Sequence, residues 1–172
     1  MANTYTLISS QSLTGSAATV TFSSIPSTYT DLKVVVSGRG ASAGGGTSGA
    51  WDNFTIKFNG SSSNYSGRWL NNTDNSMNSG TSSSLIYSFV DYSGATANMF
   101  GNVEFYIPNY ASSKYKSVSA DNGVTNNSTA NVIGFTAGLW SDTTAINSIT
   151  FTLATGSWAT YSTFYLYGIS NS

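Results

Sequence analysis

The sequence predicts an all-β chain folded as an antiparallel β-sandwich, jelly-roll-like, on three observations. Apolar and polar residues alternate with period two along most of its length, the pattern of strands with one buried face. No segment holds an i, i+3, i+4, i+7 apolar stripe over three turns, so helices are not expected. Turn-forming residues recur at short intervals between the alternating runs, as in sandwiches built of many short strands.

The elements follow in order. Residues 4–9 (TYTLIS) and 17–22 (AATVTF) read as two strands joined through Gly15, and SIPSTYTD (24–31) as a proline-marked loop. Leu32, Val34 and Val36 share a strand face, as do Phe54, Ile56 and Phe58. Between them, GRGASAGGGTSGA (38–50) is a glycine-rich excursion. No strand is assigned over 61–82, where serines and asparagines dominate. Further strands read 83–90, 101–108, 113–121, 131–140, 147–154 and 161–169. Asp121-Asn122-Gly123 reads as a hairpin turn, because Asn-Gly suits the left-handed backbone of tight turns. The same triplet lacks the further acidic ligands of a calcium loop.

Face alternation places Val34, Val36, Phe54, Ile56, Phe105, Ile107, Phe151 and Leu153 in the core, together with Trp140. In the last strand, Tyr165 and Tyr167 lie opposite Phe164 and Leu166, and both faces are expected to be covered. With 172 residues and no shift in composition, a single domain over 1–172 is expected, burying roughly 70% of its unfolded surface.

Composition narrows the function. There is no histidine and no cysteine, and Glu104 is the only glutamate. Acid/base, nucleophilic and transition-metal chemistry draw on those residue types. No catalytic residue, metal ligand or cofactor is therefore expected, and the chain reads as a non-enzyme. Asp74 reads as a loop residue, and Glu104 has no second carboxylate close in sequence.

Six lysines and arginines never form a basic stripe, which argues against nucleic acid. No apolar run has the roughly 20 residues of a membrane helix, and no membrane partner is expected. Ser, Thr, Asn and Gly make up 88 of the 172 residues and the formal net charge is −1. Such a surface repels its own copies weakly, so self-association is expected.

Several segments, in a fixed order, carry a resemblance: TYTLISSQSL, SIPSTYTDLKVVVSGRG, FGNVEFYIPNYASSKYKSVSAD, GLWSDTTAINSITF and YSTFYLYGI. Together they resemble a β-sandwich module of virion proteins from tailed bacteriophages, cyanophages among them. The resemblance spans nearly the whole chain. It implies a virion structural protein, either a small capsid decoration or cement protein or a module of a longer fibre or tail protein. With no shaft, coiled-coil or collagen-like repeat beside the module, the decoration protein is the expectation. Its partners would be itself, as a homotrimer, and the major capsid protein, at the capsid surface of the virion. The alternative is a receptor- or glycan-binding module of a fibre or tail, taking a host surface glycan.

The resemblance assigns no contact residues, so candidate partner-binding residues come from this sequence alone. They are Asn3, Thr4 and Tyr5 in the N-terminal segment, Arg39 and Trp51 flanking the glycine-rich excursion, and Tyr65 and Trp69 around GRWLNN. Aromatic rings beside loops offer large contact area with a polar tip. Glycine-rich and extended segments adapt to varied surroundings.

Overall fold

The computed structural model describes residues 4–42, 51–73, 75–83, 86–125 and 131–170. Twelve strands occupy these residues: β1 (Tyr5–Ser12), β2 (Thr19–Phe22), β3 (Asp31–Gly38), β4 (Trp51–Phe58), β5 (Tyr65–Thr73), β6 (Ser76–Ser82), β7 (Ile86–Asp91), β8 (Gly101–Ile107), β9 (Lys116–Thr125), β10 (Asn131–Trp140), β11 (Ile149–Leu153) and β12 (Thr163–Ile169). Every strand pairing is antiparallel. Eight strands form one sheet in the order β1-β12-β3-β8-β9-β10-β5-β6, and four form the other, β2-β11-β4-β7. The predicted β-sandwich is the fold.

All eight core residues expected from face alternation are buried, and so is Trp140. An aromatic chain runs through the interior. Phe54 meets Phe105, Phe151 and Trp158, and Phe164 meets Phe151 and Trp158, with centroids 4.9–6.3 Å apart. Several are edge-to-face, an arrangement worth about 0.5–1.5 kcal/mol per pair beyond the area buried. The Trp158 Nε1–H donates to the Phe151 carbonyl at 3.3 Å, so this indole leaves no unpaired donor.

Gly38 belongs to this packing and not to a flexible segment. A Cβ there would lie 2.8 Å from Trp158 Cζ3. The rest of the glycine-rich excursion, 43–50, lies outside the described residues, as do Asn3 and Asp74.

Three sequence expectations need correction. The span 61–82 carries two strands, β5 and β6, extending the large sheet beyond the small one. β7, the edge of the small sheet, packs beneath β8, β9 and β10, whereas β6 packs along β5. With no opposing sheet beneath it, β6 needs no apolar face, and its sequence SMNSGTS shows none.

Asp121-Asn122-Gly123 is not a turn but lies within β9, opposite Phe135, Gly134 and Ile133 of β10. Gly123 is not among the glycines with positive φ, so the triplet uses no left-handed geometry here. Finally, only the Phe164 and Leu166 face of β12 is covered; Tyr165 and Tyr167 remain half-exposed on the outer surface.

Candidate functional site

Four connections meet at one end of the sandwich: 13–18, 39–42, 92–100 and 154–162. Arg39 organises them. Its guanidinium donates to the carbonyls of Ser93 (3.1 Å), Ala95 (3.0 Å), Thr96 (2.9 Å) and Met99 (2.8 Å). Its backbone N–H donates to Ser162 Oγ at 3.2 Å and its carbonyl accepts from Ala159 N–H at 2.7 Å. One buried side chain thus ties the 92–100 connection to the end of β3. The planar five-donor fork of arginine suits this task, and a lysine lacks it.

Asp91 lies beneath, 1% exposed, with its Oδ1 unpartnered. Burial pushes its carboxyl up to about 6, against the pull of the Arg39 charge.

These connections enclose a cleft of about 390 Å³, lined in part by Ser16, Gly40, Ser93, Asn98, Phe100 and Tyr161. Tyr161 is 78% exposed, more than any other large hydrophobic residue of the described chain. Its backbone is left-handed, φ 72°, a conformation disfavoured for a bulky residue. The chain is pinned there on both sides: Tyr161 N–H donates to Leu13 O (2.8 Å), and Leu13 N–H to Ser162 O (3.0 Å).

A second feature is the outer face of the large sheet. Phe135 of β10 stands opposite Leu70 of β5, and Ile133 opposite Asn72, which in turn faces Met77 of β6. Ile133, Phe135, Leu70 and Met77 are 45–65% exposed. Beside them runs a carbon-lined groove of about 480 Å³, bordered by Arg68, Leu70, Ser79, Ser119, Phe135 and Ala137. Contiguous exposed apolar side chains of this kind mark interaction surfaces.

Sequence reasoning placed Glu104 alone, but β8–β9 pairing sets Asp121 directly opposite it. Burial, and then the Glu104 charge, raise the Asp121 carboxyl. Lys33 Nζ sits 2.7 Å from Glu104 Oε2. The hollow they border, about 190 Å³, falls below the size of small-molecule sites. The pair is a charge cluster on a sheet face. Among the described residues no three His, Cys, Asp or Glu side chains gather as metal ligands.

The candidate residues do not converge. Thr4 and Tyr5 are exposed at the β1 edge, with Lys33 Nζ 6.0 Å from the Tyr5 ring centre. Trp69 lies near the opposite edge, half-buried over Gly80, where a Cβ would approach its ring to 2.5 Å. Trp51 packs edge-on against Phe89 at 5.0 Å.

Two of the candidates lie in the interior. Tyr65 is buried, stacked on Trp140, with its hydroxyl accepting from Phe58 N–H at 2.8 Å. Arg39 is buried and committed to the loop carbonyls. Tyr161 and Phe135 were missed because both sit in alternating runs that read as ordinary strands.

No family model, no curated protein and no solved structure matches the chain.

Proposed function

We propose that the protein is a bacteriophage virion structural protein, a capsid decoration or cement protein that associates as a homotrimer and binds the major capsid protein at the capsid surface. The observation that carries this reading is the apolar patch of Ile133, Phe135, Leu70 and Met77, held on the outer face of the large sheet. A chain with so few charged residues has little electrostatic barrier to burying that patch against another protein.

The strand order supports the reading. Without β5, β6, β9 and β10, the sheets run β1-β12-β3-β8 and β2-β11-β4-β7, the arrangement of a jelly roll, an architecture common among capsid proteins. Fold analogy adds only a prior, and the sequence resemblance adds another. The mechanism is linkage: a protein that binds only the assembled lattice stabilises it by its binding free energy. A trimer with several lattice contacts multiplies the effect.

The test uses capsids stripped of the native protein. Light scattering on the free protein should give three chains, and re-addition should raise the capsid melting temperature. Phe135→Asp places a charge in the centre of the patch without touching the core, and should abolish trimer and occupancy while the fold's own melt is preserved. A folded variant that assembles and decorates like the wild type refutes the reading, as does a wild type that leaves capsids bare.

A further inference from the structure

We propose that the loop-end cleft beside Tyr161 binds neutral carbohydrate. The inference does not depend on the capsid reading, because the cleft lies at one end of the sandwich, away from the β10–β5–β6 face.

The first argument is the presentation of Tyr161. A ring that is 78% exposed on a left-handed backbone gains nothing evident from core packing, and the strained conformation is disfavoured on its own. Yet the backbone there is fixed by the bonds to Leu13 and by Ser162 N–H donating to Ala159 O at 3.2 Å. Ser162 itself is fully buried. The fold fixes the backbone that presents the ring, which reduces the freedom lost on binding.

The second argument is the chemistry of the lining. Ser16, Ser93 and Thr160 bring hydroxyls, Asn98 an amide, and Phe100 a second ring. Polar and apolar surface are mixed, unlike the mostly apolar pockets that take hydrophobic small molecules. A pyranose presents the matching surface: C–H bonds on one face for the electron-rich face of an aromatic ring, and hydroxyls around its edge for side-chain hydrogen bonds. The volume, about 390 Å³, lies at the small end of ligand sites.

The third argument sets the charge of the ligand. Among the described residues Arg39 is the only cation lining the cleft, and four of its N–H bonds already end on loop carbonyls. Buried Asp91 lies under it. Among the described residues the site has no free positive group for a phosphate, sulfate or uronate, so it favours neutral sugars.

The experiment is titration of the full chain, followed by saturation-transfer NMR and calorimetry. The probes are methyl β-D-galactopyranoside, methyl β-D-glucopyranoside and N-acetylglucosamine, with glucose 6-phosphate as the anionic arm. At least one neutral probe should bind in the millimolar range and glucose 6-phosphate should not. Tyr161→Gly removes the ring and relaxes the left-handed backbone. It should weaken binding about tenfold or more while the melting temperature holds or rises. Tyr161→Trp should retain binding. The inference is overturned if no neutral probe binds, if binding survives Tyr161→Gly, or if the anionic sugar binds better. None of these outcomes bears on capsid occupancy.

Discussion

Replacing Asp91 with Asn should make the protein more stable at neutral pH and remove part of its pH dependence. The Asp91 carboxyl is 1% exposed, its Oδ1 has no partner, and burial moves its pKa from 3.8 to about 6. Between those values the folded chain holds a proton that the unfolded chain has lost. Stability from the protonated form is complete below about pH 4 and is lost as pH rises through about 6. A shift of about two units corresponds to about 3 kcal/mol, with the attraction of Arg39 already included in it. Denaturant melts of wild type and Asp91→Asn near pH 4 and pH 8 give the comparison. Wild type should lose stability on going to the higher pH, with that loss smaller in the variant by up to about 3 kcal/mol. If Asp91→Asn is the less stable protein at pH 8, the Arg39 attraction outweighs desolvation and the reasoning fails.

Two further outcomes are expected. Phe105→Ala and Phe151→Ala each remove a fully buried ring from the aromatic chain and should cost about 3–5 kcal/mol, read by thermal or denaturant melts. Arg39→Lys keeps the charge but cannot reach four carbonyls at once. It should cost about 3 kcal/mol and accelerate amide exchange selectively in the 92–100 connection.

What the sequence revealed depended on where the two sheets face each other. β3, β4, β8 and β11 each bury one face completely, and their alternation of Val, Ile and Phe with polar residues could be read directly. β5 and β6 could not be read so. They overhang the small sheet, and Leu70 and Met77 point outward while Asn78 and Gly80 lie on the other side. The Asp121-Asn122-Gly123 triplet misled for a related reason: local turn preference was overruled by ladder pairing on both sides, to β8 and to β10. The candidate sites were harder still. Tyr161 looks in sequence like one more strand tyrosine, and its left-handed backbone is imposed by bonds to Leu13, far away in the chain. Arg39 sits among glycines, which suggested exposure; its burial comes from a connection more than fifty residues downstream.

The strand order also governs how the chain reaches its folded state. β12 lies between β1 and β3, and β11 between β2 and β4. Each sheet thus receives an interior strand from the last two strands in chain order. Until then β1 and β2 have no partners within their own sheets, and the aromatic interior lacks Phe151, Trp158 and Phe164. Locally closed hairpins such as β8–β9 can form early, but the sandwich closes only once β11 and β12 have been made. Pairings this distant in sequence close slowly, and the waiting intermediate exposes strand edges that other nascent copies can capture. The speed at which β11 and β12 dock therefore sets how long those edges stay open.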